Sequence, residues 1–500
     1  MENKVQLITY VNRFGGNNLE DLHALLAGPL KGIFSGVHLL PFFYPIDGED
    51  AGFDPINHTR VDPKLGDWDS IARLSQEVEV MADLITNHIS ADSAQFQDVL
   101  EKGDKSDFAS LFLTYANVFP QGATEQELSS IYRPRPGFPF SKFRLKSGEE
   151  RLFWTTFTPK QIDIDVQNEQ GQAYLHAILD QFRGAGIGMI RIDAVGYAIK
   201  TPGTSCFMTP ETYAFIGELS EAAKERNIEV LVEIHAYYKQ QIEIAKQVDR
   251  VYDFALPPLI LHTLFKRNSA GLKKWLTISP RNAITVLDTH DGIGIVDIGA
   301  GNLAGEEEGL IAPEDIDDLV EMIHEKSEGN SRKATGAAAS NLDLYQVNCT
   351  YFDALGRDEK SYLLARLIQF FVPGIPQIYY VGFLAGENDM DLLDQTGVGR
   401  DINRQYFSRE EVLGQLNSPI VRNLCQLIRF RNEHPAFNGV FELVESSDEE
   451  LCINWTLEES FARLRLKLSE LSFSIEYSLG DGSSIYIEDQ FDFYLNKIKA

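Results

Sequence analysis

Arg191 and Asp193 stand two residues apart in 187-IGMIRIDAVGY-197, an otherwise apolar run that reads as a buried strand. Side chains two apart on a strand share a face, so these opposite charges point the same way. A purely structural ion pair there would be a weak contributor to stability. Three more apolar runs close on chemistry-bearing residues: 229-EVLVEIH-235 on Glu233 and His235, 283-AITVLDTHD-291 on His290 and Asp291, and 80-VMADLITNH-88 on Asn87 and His88. One strand-end charge can be structural, but four strands ending this way make a site. The carboxylates carry no metal-ligand spacing, and the histidines form neither an H-x-x-x-H pair nor a three-His set. No metal is expected. Carboxylates flanked by His and Arg suit an oxocarbenium-like transition state, as in glycosyl transfer: one attacks, one shuttles a proton and others steady charge.

Strands must position these groups. β-rich runs recur at 5–10, 36–42, 80–88, 187–195, 229–235, 251–256, 283–291 and 374–380, with helical patterns such as 211–227 and 358–371 between several of them. Alternating strands and helices imply a parallel sheet, and eight such strands in a long chain point to a closed TIM-type (β/α) barrel. An open doubly wound sheet fits less well, because no Gly-rich turn follows the first strand. Two connections are too long for simple loops and belong over the barrel mouth. The expected division is a barrel from 1–88, 171–291 and 356–434, insertions at 89–170 and 292–355, and a C-terminal antiparallel β domain at 435–500. In that last part the runs 440–445, 451–457, 461–468, 472–479 and 484–491 alternate at period two. The acidic stretch 301–318 reads as a solvated loop.

The chain of 500 residues has 45 basic and 74 acidic residues, a net charge of −29. Nothing resembles a basic stripe, so no nucleic-acid partner is expected. The acids are spread along the chain, which suits a solubilising surface, and an anionic substrate would need a local cation cluster. No run of about 18 apolar residues predicts a membrane span, and the N-terminal run does not have the pattern of a signal peptide. Cys206, Cys349, Cys425 and Cys452 are scattered and read as reduced core thiols of a cytoplasmic protein.

The segments 83-DLITNH-88, 188-GMIRIDAVG-196, 231-LVEIH-235 and 287-LDTHD-291 resemble, in order, the four signature regions of glycoside hydrolase family 13, the α-amylase family. The likeness is greatest to the branch that phosphorolyses sucrose. There it spans nearly the whole chain, through 48-GEDAGFDPINHTRVDPKLGDW-68, 131-IYRPRPGFPF-140, 203-GTSCFMTPET-212, 251-VYDFALPPL-259, 336-GAAASNLDLYQVN-348 and 399-GRDINR-404. One departure is clear. Many amylases have Lys-His where Gly196-Tyr197 stand here, and that His commonly helps bind a structural calcium ion.

The resemblance implies roles residue by residue. Asp193 matches the nucleophile that forms a covalent β-glucosyl intermediate, with Arg191, grouped with the residues that bind the glucosyl unit, keeping it ionised and aimed. Glu233 matches the acid/base, which needs a raised pKa that partial burial can supply. Asp291 matches the transition-state stabiliser. Asp50 and Arg400 match a pair that closes the glucosyl pocket, His88 and His290 bind hydroxyls, and Phe53 and Phe157 offer apolar platforms. Gln161 and Tyr197 are weaker matches there. On the acceptor side Arg135 and Tyr345 match phosphate-binding residues, with His235 as a third, and Tyr132, Pro134, Leu342, Asp343 and Gln346 lie near the fructosyl unit. The implied partners are sucrose, phosphate, fructose and glucose 1-phosphate, with no cofactor and a homodimer left open. The rival readings are a hydrolase or transglucosylase of the same family, a phosphorylase of a related glucoside (sucrose 6-phosphate, glucosylglycerate or glucosylglycerol), and a catalytically dead sugar-binding barrel.

Overall fold

The computed structural model describes residues 1–48, 50–133, 137–301, 308–336, 346–494 and 498. Eight parallel strands close into a barrel: β1 (Gln6–Thr9), β2 (Gly36–Leu39), β3 (Glu79–Ile85), β4 (Met189–Asp193), β5 (Glu229–Val232), β6 (Arg250–Asp253), β7 (Ala283–Thr285) and β8 (Ile375–Tyr379). Each pairs with its neighbours in sequence, and β8 closes on β1. All eight lie within or overlap the β-rich runs of the sequence. Val, Ile and Leu dominate them because every strand is covered by helices outside and by layered side chains within.

Two runs leave the strand earlier than their apolar pattern suggests. β7 ends at Thr285, although the run continues to Asp291. Beyond it Asp288 is captured by Arg366 at 2.6 Å, which turns the chain so that His290 and Asp291 face the mouth. β6 ends at Asp253, whose carboxylate accepts from Leu256 N at 3.0 Å and so anchors the helix Leu256–Lys266. Gly374 is required where β8 begins: at φ +133, a Cβ there would lie 2.8 Å from the Thr285 side chain and 2.9 Å from the Ala283 carbonyl. The helices start on local caps. Asn168 caps Glu169–Gly184, Thr209 with Pro at the first turn starts Pro210–Lys224, and Asp358 caps Glu359–Phe371.

The long connection after β3 folds back on itself. His88–Ser90 pairs antiparallel with Gln161–Asp163, and Phe140–Arg144 pairs with Glu150–Trp154. After β7, Ile293–Gly294 pairs with Gln346–Val347. The stretch read as a solvated acidic loop holds the start of a helix, Pro313–Lys326. Pro313 at its first turn and Glu314 and Asp315 beside it are helix-start signals that the acidity of the stretch disguised.

Five antiparallel strands end the chain: β9 (Val440–Val444), β10 (Glu450–Leu457), β11 (Ser460–Lys467), β12 (Ser472–Ser478) and β13 (Ser484–Glu488). The sheet is fastened to the barrel by Trp455, which donates to the Phe371 carbonyl at 2.7 Å, and by Tyr477, packed edge-on against Phe430 at 4.9 Å. Among the described residues no helix is long and apolar enough to cross a membrane. The four cysteines are unpaired. Cys206 and Cys349 are buried, whereas Cys425 and Cys452 are only partly so and are not core thiols in the full sense.

Candidate active site

Asp193 is the last residue of β4. The chain turns sharply behind it through Ala194, a non-glycine residue in the left-handed region at φ +55. Such a conformation costs of order 1 kcal/mol and tends to occur at functional sites. Thr86, just past β3, donates to the Asp193 carbonyl at 2.9 Å and pins the turn. Glu233 follows β5 directly, and His290 and Asp291 arrive on the turn after β7.

Arg191 ties the carboxylates together. Its Nη1 lies 2.6 Å from Asp83 and 2.9 Å from Asp193, and its Nη2 lies 3.8 Å from Glu233. Asp83, fully buried, is held on its other oxygen by His38 at 3.0 Å. Burial alone would raise the Asp83 carboxyl, but His38 and Arg191 pull it down to about 2. Arg191 was expected to bind the glucosyl unit. Instead it sits behind Asp193, its guanidinium 5.6 Å from the Phe53 ring centre, and is absent from the cavity wall.

The carboxylates differ in their electrostatics. Burial would also raise Asp291, yet Arg400 at 2.8 Å, His290 and Arg404 hold it well below the usual carboxylate range. Burial pushes Asp193 upward, with Glu233 adding to the effect and Arg191 opposing it. The guanidinium of Arg191 is aimed at Asp193, at 2.9 Å, more closely than at Glu233, at 3.8 Å.

These groups line a cavity of about 110 Å³ with Asp50, Phe53, His88, Phe157, Gln161, Tyr197, His290 and Arg400. Every expected glucosyl-pocket residue except Arg191 is on that wall. Phe53 stacks on His290 at 4.7 Å, and Phe157 meets His88 edge-on at 5.3 Å. Burial lowers the pKa of both histidines, that of His290 to about 3, so both rings are neutral near pH 7. Gln161 Oε1 and His290 Nδ1 have no hydrogen-bond partner among the described residues. A buried polar atom left so is costly unless a ligand or water meets it, and sugar hydroxyls would do so.

On the acceptor side Tyr132 lies face to face with Tyr197 at 6.2 Å and packs on Phe207 at 4.8 Å. Gln346 receives a contact from Arg400 at 3.4 Å. His235 lies beside the acid/base position, its Nε2 3.7 Å from Glu233. Pro134, Arg135, Leu342, Asp343 and Tyr345 lie outside the described residues. Glu233, His235 and Asp291 bring donor atoms within 4.8 Å of one another, near enough for a cation. Two guanidinium groups, of Arg191 and Arg400, already supply positive charge to those carboxylates, and His235 Nδ1 is engaged by Asp297 at 2.8 Å. That arrangement suits an acid/base and its neighbours better than a ligand set.

A family profile described as "Alpha amylase, catalytic domain" matches residues 30–274. The sucrose phosphorylase of Agrobacterium vitis is 60% identical over 94% of this chain and 96% of its own length. The chain belongs to the α-amylase family. The sucrose phosphorylase of Bifidobacterium adolescentis is 52% identical, covering 93% of this chain and 92% of that one. Among solved structures, sucrose 6F-phosphate phosphorylase from Thermoanaerobacter thermosaccharolyticum superposes with a TM-score of 0.90 at 35% identity, covering 97% of this chain and 98% of that one.

In this α-amylase family chain the neighbourhood of Gly196-Tyr197 is organised by an ammonium that the sequence did not flag. Buried Lys200 Nζ donates to Asn87 at 3.0 Å, to Thr156 at 3.1 Å and to the Tyr197 carbonyl, and pairs with Asp163 at 2.8 Å. It thereby ties the end of β3, the first insertion and the turn after β4. The oxygens converging there already have a cation of their own. A millimolar chelator is therefore expected to leave both activity and Tm unchanged. Activity lost to chelator and restored by calcium would contradict this assignment.

Proposed function

We propose that the protein catalyses the reversible phosphorolysis of sucrose to α-glucose 1-phosphate and fructose by a retaining double displacement. The observation that carries the reading is the Asp193–Arg191–Glu233 arrangement at the base of a one-sugar cavity, in a chain 60% identical to a sucrose phosphorylase. Asp193 attacks the anomeric carbon while Glu233 protonates the departing fructose oxygen. Glu233, now a carboxylate, then deprotonates the acceptor as the glucosyl–Asp193 bond breaks. Asp291, held ionised by Arg400 and Arg404, steadies the positive charge that develops on the sugar. His88, His290 and Gln161 meet hydroxyls, and Phe53 and Phe157 meet the apolar faces. The wall formed by Asp50 and Arg400 limits the donor to one glucosyl unit. Unphosphorylated sucrose is favoured over its 6-phosphate, because identity is 60% and 52% to the two sucrose enzymes and 35% to the phosphate-specific structure. Scattered unpaired thiols suit action in the cytoplasm.

The test is incubation with sucrose, with and without phosphate, assaying glucose 1-phosphate and free glucose. Phosphate-dependent glucose 1-phosphate in step with fructose is expected; free glucose alone would make the protein a hydrolase.

Arg135 takes the role of phosphate fork in this reading, since its planar guanidinium meets an oxyanion bidentately. Arg135→Ala should raise the phosphate KM about ten- to a hundredfold, the worth of one charge-assisted hydrogen bond at roughly 1.5–3 kcal/mol. It should also enlarge the free-glucose share while sucrose cleavage survives. A phosphate titration measures both, and an unchanged product ratio would mean that Arg135 only braces its loop.

A further inference from the structure

Behind His235 lies a carboxylate that no motif signals. Asp297, fully buried, stands six residues past Asp291 in the second long connection. Both its oxygens accept hydrogen bonds: Oδ2 from His235 Nδ1 at 2.8 Å, and Oδ1 from Ala236 N at 3.2 Å and Gln241 Nε2 at 2.8 Å. The ring is also clamped from its face by Phe254, stacked at 3.8 Å and 12°. Space for this pair depends on Gly294, where a Cβ would lie 2.2 Å from Asp297 Oδ2 and 2.9 Å from His235 Nδ1. Gly294 pairs in turn with Gln346, an acceptor-side residue. The His–Asp pair thus lies between the acid/base on one side and the strand pair that carries Gln346 on the other.

We propose that Asp297 is a positioning residue for the phosphate half-reaction: it holds His235 through Nδ1 so that Nε2, 3.7 Å from Glu233, presents a charged N–H to the incoming oxyanion, and this selects phosphate over water. The inference rests on the phosphorolysis reading above. The acidic groups facing His235 are Asp297, Glu233 and Asp291. Burial alone would lower the imidazole's pKa, but their charges outweigh it and hold the ring above its ordinary value. Asp297 lies on the far side of the ring, so at hydrogen-bond range the N–H is the nearer partner for an anion. An oxyanion entering among Asp193, Glu233 and Asp291 needs such a donor, whereas neutral water does not. In the transfer itself a phosphate oxygen attacks the anomeric carbon, the bond to Asp193 breaks, and its electron pair returns to the carboxylate. Any acceptor proton passes to Glu233, and His235 keeps its own throughout.

The test is Asp297→Asn in the full-length enzyme. The amide preserves size, and its oxygen can still accept from His235 Nδ1–H, but the charge is gone. The phosphate KM should rise about tenfold or more, with a larger glucose share, while fructose release without phosphate changes only a few-fold. The pH above which phosphate KM climbs should also move down relative to the parent, because losing Asp297 makes the ring easier to deprotonate. Phosphate's own ionisation is common to both enzymes and cancels in the ratio of their profiles. An unchanged KM and pH profile, or equal loss of fructose release and glucose 1-phosphate formation, would overturn the proposal. If the variant does not fold, NMR of ring-labelled histidine in the parent decides, with the His235 signal assigned through His235→Asn. An imidazolium at pH 7 supports the proposal and a neutral ring overturns it. If the parent makes no glucose 1-phosphate from sucrose and phosphate, the underlying reading fails. If it does and Asp297→Asn is unaltered, only this inference fails.

Discussion

Replacing Asp193 by Asn will lower sucrose turnover roughly 10⁴–10⁶-fold, the scale on which enzymes lose activity with their nucleophile. A carboxamide has the shape of the carboxylate but cannot form the glucosyl ester. The loss should be in chemistry and not in folding. Arg191 keeps its 2.6 Å contact to Asp83, so the buried guanidinium is not stranded, and one of several crowded carboxylates is removed. The Tm should therefore not fall. Mass spectrometry of enzyme quenched during turnover should find a glucosyl adduct on the parent and none on the variant. Near-normal turnover in folded Asp193→Asn would move the nucleophile elsewhere.

Glu233→Gln should be the next most damaging change, and its effect should depend on the leaving group. Positioned proton transfer is worth roughly 10²–10⁴-fold, and fructose leaves poorly without a proton. Sucrose cleavage should fall by about that factor. An α-glucosyl fluoride departs unaided, so fluoride release should persist and load Asp193. The comparison also separates the two carboxylates' roles. If Glu233 is the acid and Asp193 the nucleophile, only the poor leaving group suffers. Equal losses on sucrose and fluoride would mean that Glu233 is not the acid.

The barrel was legible because its strands repeat one local signal, a short apolar run rich in β-branched residues, and four of them close on residues that do not belong in a core. The C-terminal sheet was legible for the complementary reason, since its strands alternate with one face on the barrel and one in water. Asp193, Glu233 and Asp291 stood out as charges at strand ends. What stayed hidden depends on contacts across long sequence separations. Lys200 takes its partners from 37 and 113 residues away, in Asp163 and Asn87. His38 reaches Asp83 across 45 residues, and His235 reaches Asp297 across 62. A lone Asp in a glycine-rich stretch has no periodicity to betray such a contact. Arg191 shows the limit of the face argument. Sharing a strand face with Asp193 placed it in the barrel interior, but one layer below the substrate, where it braces the carboxylates.

In a double displacement the glucosyl group waits on Asp193 between two independent half-reactions. Isotope exchange reads this out: the enzyme is incubated with α-glucose 1-phosphate and radiolabelled inorganic phosphate, with no fructose present. A covalent intermediate releases unlabelled phosphate and recaptures labelled phosphate, so label should enter α-glucose 1-phosphate, while Asp193→Asn shows none. Absence of exchange in an enzyme that phosphorolyses sucrose would mean that both acceptors must be bound together, and would contradict the double displacement.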